Sequence, residues 1–107
     1  MNEIFLSGRA VEDFNLRYSQ KGNAFGRVRV SSQDGQEVLY ISVITFGELA
    51  EKLRELKKGD MMFIKGRLKM DSYKTDAGEQ KTIYEIVAKE IKTVDELSTM
   101  GNGNAPF

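Results

Sequence analysis

Apolar and polar side chains alternate at every second position in stretch after stretch of this chain, a period that fits strands buried on one face. Ile4, Leu6 and Gly8 stand against Phe5, Ser7 and Arg9, and Val28 and Val30 stand against Arg27, Arg29 and Ser31. The longest such stretch is "MMFIKGRLKMDSYK", residues 61–74. It places Met62, Ile64, Gly66, Leu68 and Met70 on one side and Phe63, Lys65, Arg67, Lys69, Asp71 and Tyr73 on the other.

A third strand, "VLYISVITF" at 38–46, is apolar on both sides, so alternation leaves open whether Tyr40, Ser42, Ile44 and Phe46 face in or out. "TIYEIVAKEI" supplies the last strand. The connections are equally legible. "YSQKGNAF" reads as a loop into the second strand, and Asp34-Gly35 suits a hairpin joining the second and third strands. "KTDAGEQK" is a polar hairpin tip.

One segment changes the period. In "GELAEKLRELKKG", Leu49, Ala50, Leu53 and Leu56 form an apolar stripe, Glu48 precedes Lys52 by four, and Lys57-Lys58-Gly59 makes a C-terminal end. The order is therefore three strands, a helix and two strands. That order predicts an all-β fold, a five-stranded OB-fold barrel in antiparallel pairing with one α-helix between strands 3 and 4. Gly66 is expected where the fourth strand bends or is closely approached. Residues 1–92 form the expected domain. Residues 93–107, ending in "STMGNGNAPF", form an expected disordered tail.

Composition narrows the chemistry. The 107 residues contain no Cys and no His, which excludes disulfides, the usual zinc sites, thiol nucleophiles and imidazole acid–base catalysis. No compact carboxylate cluster suggests a metal-dependent nuclease; the expectation is a protein that is not an enzyme and takes no cofactor or metal. The absence of a cationic leader and of long apolar runs predicts a soluble, cytoplasmic, nucleoid-associated protein rather than a membrane one. Sixteen basic and sixteen acidic residues cancel, but Asp95 and Glu96 lie in the tail, leaving residues 1–92 at +2. Charge distribution therefore matters more than its sum.

Five pieces in order, "MNEIFLSGRA", "LRYSQKGNAF", "FGELAEKL", "LKKGDMMFIKGRLK" and "YKTDAG" followed by "YEIVAKEI", resemble the bacterial-type single-stranded DNA-binding proteins from Met1 to about Lys92. The chain departs from that pattern at Phe14, where the family commonly has proline, in a short loop at Asp34-Gly35, and in having no Trp. The resemblance implies a non-catalytic, largely sequence-independent binder of single-stranded DNA in replication, recombination or repair. It also implies a homo-oligomer, a tetramer in most members and a dimer in some.

By position the resemblance makes Tyr40, Phe46 and Tyr73 base-stacking aromatics, with tryptophan usual in the family at the first and last. Tyrosine offers less stacking area, so weaker binding than the family norm is expected. The alternating strand adds Lys65, Arg67 and Lys69 as phosphate contacts, with Arg27, Arg29, Arg9 and Lys74 extending the track and Lys81 flanking it. Asp71, Glu85 and Glu90 are expected to neutralise part of it. Pro106 and Phe107 resemble the family's partner-docking tip for replication and repair proteins, although Gly103, Asn104 and Ala105 replace its aspartates.

Other readings stay open on pattern alone. Alternating Lys and Arg is also the ordinary solvated face of a strand or a guarded edge. A primosome-like adaptor of the same fold would use the sheet chiefly for protein contacts, and related barrels bind RNA.

Overall fold

The computed structural model describes residues 1–94. Its strands are β1 (Ile4–Ala10), β2 (Asn15–Tyr18), β3 (Ala24–Asp34), β4 (Glu37–Phe46), β5 (Met61–Lys74) and β6 (Gln80–Thr93), with helix α1 (Gly47–Lys52) between β4 and β5. The sheet runs β1-β5-β6-β4-β3-β2, and a β1–β3 pairing closes it into a barrel. β2 is a short strand added at the rim by pairing with β3. The five longer strands are the expected OB barrel.

Two expectations need correction here. The pairing is antiparallel except between β4 and β6, which run parallel through Ser42–Glu85, Val43–Ile86 and Ile44–Val87. That pairing follows from closure, because β6 must return beside β4 after its hairpin with β5. The segment read as a loop into the second strand, residues 18–25, overruns at both ends, since Tyr18 closes the short strand Asn15–Tyr18 and Ala24 and Phe25 already belong to β3. The β3–β4 hairpin itself is confirmed, with Gly35 and Gln36 between the paired Asp34 and Glu37.

The barrel interior holds Val28, Val30, Val43, Met62, Ile64, Ile86 and Ile91, all buried. Each contributes about 1.5–3 kcal/mol by leaving water. α1 is shorter than its apolar stripe, ending at Lys52 with Leu53 as its C-cap. Leu53 and Leu56 are still buried, because the chain continues in tight turns with N–H groups of Leu53, Arg54 and Leu56 bonded three residues back. Ala50, Leu53 and Leu56 thus join the core.

Phe14, the departure from the family pattern, is buried with its ring against Gly26, where any Cβ would collide with it. Gly66 sits at an irregularity in the β5–β6 ladder, where Lys65 pairs with Glu90 but Gly66 with Ala88. One extra residue on β6 is accommodated there, and a Cβ on Gly66 would strike the Val87 carbonyl.

Beyond Lys69 and Glu85 the β5–β6 hairpin leaves the barrel. β1 pairs with β5 only through residues 61–66, and β4 pairs with β6 only through residues 85–87. Met70, expected on the buried side, is therefore 61% exposed, opposite the equally solvated Tyr84. The alternation holds, but the arm has no core beneath it.

Candidate nucleic-acid interface

The ladder registers fix which side chains share the outer surface of β3, β4, β6 and β5. One row across the strands is Arg27, Ile44, Val87 and Arg67, and the next is Arg29, Ser42, Glu85 and Lys69. Ser31 and Tyr40 extend the face at one end and Phe25 and Phe46 at the other. Along the arm follow Asp71 beside Ile83, then Tyr73 beside Lys81.

The open question on β4 is answered by its neighbours. Val43 and Thr45 point inward and are fully buried, so Tyr40 and Phe46 point outward, each 55% exposed. Thr45 tolerates burial because its hydroxyl donates to the Gly26 carbonyl at 3.4 Å. Phe46 also occupies the N-cap position of α1, where strand turns into helix. Tyr73 is 46% exposed on the arm.

The cations divide into groups. Arg29 lies diagonally beside Tyr40, its guanidinium carbon 5.8 Å from the ring centroid. Arg27 is paired with Glu85 (Nε to Oε2, 2.6 Å), and its Nη2 donates to Oε1 at 3.3 Å. Lys69 is 3.2 Å from Asp71. Arg67 is exposed on the outer surface in the row of Val87.

Lys65 lies toward β1, its Nζ 3.5 Å from Glu3 and 5.8 Å from the Phe5 ring centroid. Arg9 stands at the helix end of the barrel, where its Nη1 donates to the Gly59 carbonyl at 3.0 Å. Lys74 alternates onto the arm surface opposite Tyr73. The predicted set is thus gathered around β4, β6 and the arm for Arg27, Arg29, Tyr40, Phe46, Arg67, Lys69 and Tyr73. Lys65, Arg9 and Lys74 are set apart.

Among the described residues no group of three or more His, Cys, Asp or Glu is placed to hold a metal, and no helix is long and apolar enough to cross a membrane. What the outer face offers is aromatic surface and guanidinium and ammonium groups, the two elements that bind unstacked bases and phosphates.

A model of the single-strand binding protein family matches residues 1–94. The chain belongs to that family. Among its relatives, the proteins named single-stranded DNA-binding protein from Wolinella succinogenes and Helicobacter hepaticus are 30% and 31% identical over 95% and 88% of this chain. The protein of that name from Thermus thermophilus is 33% identical over 76% of it. The chain spans 69%, 61% and 33% of these three relatives' own lengths. All three are named for binding and not for catalysis.

As a member of the single-strand binding protein family, the chain carries its three candidate stacking aromatics on solvent-facing surface. Two further side chains of that face escaped the sequence reading as site residues. Phe25 lies directly across from Phe46, and Ile83 is 44% exposed between Tyr73 and Glu85. Their signal was alternation carried across a register, which a single strand does not display. Pro106 and Phe107 lie outside the described residues.

Proposed function

We propose that this chain binds single-stranded DNA without catalysis and largely without regard to sequence, through the outer face of β3, β4, β6 and the β5–β6 arm. The observation that carries the reading is the exposure of Tyr40, Phe46 and Tyr73 on one continuous surface with Arg29, Arg67 and Lys69 among them. Aromatic rings take the faces of unstacked bases, and the cations take the phosphates. Arg27 belongs to the same site; Lys65, Arg9 and Lys74 lie at its margins.

The family and the names of its relatives support single-stranded DNA as the ligand. Residues 1–92 form the binding domain in this reading and 93–107 a tail, with Pro106 and Phe107 as a docking tip for replication or repair proteins. A homo-oligomer, tetramer or dimer, also belongs to the proposal. In its support, the ladder of β1 with β3 covers only Arg9 and Ala10.

The test is an anisotropy titration of labelled oligo-dT, the matching duplex and the matching RNA across a salt series. Tight binding of the single strand that weakens with salt, with little affinity for duplex, is the expected result. Flat curves at low salt would overturn the reading, and a strong RNA preference would replace its ligand.

A further inference from the structure

Arg27 reaches across a strand to find its partner. It projects from β3 and Glu85 from β6, with β4 between them. Its register partner on β4 is Ile44, whereas that of Glu85 is Ser42. The guanidinium is held by two of its N–H groups, from Nε at 2.6 Å and from Nη2 at 3.3 Å. It is therefore fixed over the Ser42–Ile44 stretch of β4, midway between Tyr40 and Phe46.

Three features set this arginine apart from an ordinary phosphate contact. Its charge is balanced by a carboxylate whose own side chain is only 10% exposed, while the arginine side chain remains 57% exposed. The groove beside it is lined by Glu12, Asp13, Asn15, Arg17, Phe25 and Ile44, so that, with Glu85, three carboxylates stand against Arg27 and one further cation. Finally, Tyr40 and Phe46 are six residues apart on β4, about 20 Å of strand. Two rings at that spacing leave uncovered floor between them.

We propose that Arg27, held by Glu85, is a stacking plane for a base between Tyr40 and Phe46 rather than a phosphate contact, and that Glu85 is the residue that positions it. The proposal rests on the reading of this face as the strand-binding surface. A planar guanidinium stacks on aromatic rings as well as pairing with anions. With Glu12, Asp13 and Glu85 nearby, a neutral base is the better ligand than another anion. Three N–H donors of Arg27 remain outside the pair and, lying in the guanidinium plane, are directed at groups beside the stacked base rather than at the base itself.

Salt dependence separates the two roles, because each phosphate contact to a single strand contributes about 0.7 to the slope of log affinity against log salt. Oligo-dT and an abasic oligomer of equal length are titrated with wild type, Arg27→Ala, Arg29→Ala and Glu85→Gln, each checked by thermal unfolding. Arg27→Ala is expected to weaken oligo-dT binding by at least about fivefold while leaving its salt slope and the abasic affinity unchanged. Arg29→Ala lowers the slope. Glu85→Gln releases the charge of Arg27, so the slope steepens and the preference for oligo-dT over the abasic strand shrinks; its neutral amide keeps a hydrogen-bonding partner in place. An Arg27→Ala protein that loses slope and abasic affinity together would overturn the proposal while leaving the binding face intact. A wild type that binds neither strand would overturn the binding face, and this role with it.

Discussion

Lys69 stands directly across from Glu85 in the β5–β6 ladder, yet its ammonium turns along its own strand to Asp71, 3.2 Å away. The carboxylate opposite is already engaged by Arg27. One acid thus diverts a cation of the candidate DNA face, and its position on an exposed arm makes the diversion weak. Surface pairs of this kind contribute about 0–1 kcal/mol.

Removing that acid should strengthen binding. Asp71→Asn is expected to raise affinity for oligo-dT by about two- to fivefold at low salt and to steepen the salt slope by about 0.7. Thermal stability should barely change. Unchanged affinity and slope would show that Lys69 makes no phosphate contact.

Truncating the arm's aromatic should cost binding without costing fold. Tyr73→Ala is expected to lose about 1–3 kcal/mol of binding free energy, the worth of one stacked base, at an unaltered unfolding midpoint. Tyr73→Trp should gain affinity by enlarging the ring. Competition between the variants for one labelled strand gives the ranking directly.

The opposite outcome is expected inside the barrel. Ile64 is fully buried among the core residues, and Ile64→Ala should lower unfolding free energy by about 2–5 kcal/mol, read as a fall in the denaturant midpoint. Oligo-dT affinity should be preserved under conditions where the variant is folded. A loss of binding with no loss of stability would mean the two faces of β5 had been assigned the wrong way round.

Gly66→Ala tests the bulge. Its Cβ would meet the Val87 carbonyl and the Ala88 backbone, so a destabilisation of about 1–3 kcal/mol is expected from forced backbone movement. Faster amide exchange should appear around Gly66 and Ala88. A variant as stable as wild type would show that the ladder relaxes there without strain.

Much of this was legible in single strands. Met62 and Ile64 inside and Arg67 and Tyr73 outside follow from alternation alone. β4 was ambiguous because both its sides are apolar, and only its ladders with β3 and β6 show Val43 buried and Tyr40 exposed. Met70 was misplaced because periodicity reports a side of a strand without reporting whether anything covers it. β2 was missed because four residues beside a turn carry too short a pattern.

The Arg27–Glu85 pair joins residues 58 positions apart in the chain, beyond the reach of any local pattern. Its one trace in the sequence is a lone carboxylate inside the apolar run "IYEIVA". A charge in such a place needs a partner.

The uncovered β5–β6 arm also sets a rule for redesigning its length. Because successive side chains point to opposite sides, adding one residue to each strand between Met70 and Tyr73 and between Lys81 and Tyr84 would turn the ring to the back of the arm, whereas adding two would return it to the front about 7 Å further out. With no core beneath this segment, either change leaves the barrel's packing untouched. The parity of an insertion, rather than its size, decides whether a longer arm keeps its aromatic on the side of the barrel's outer face.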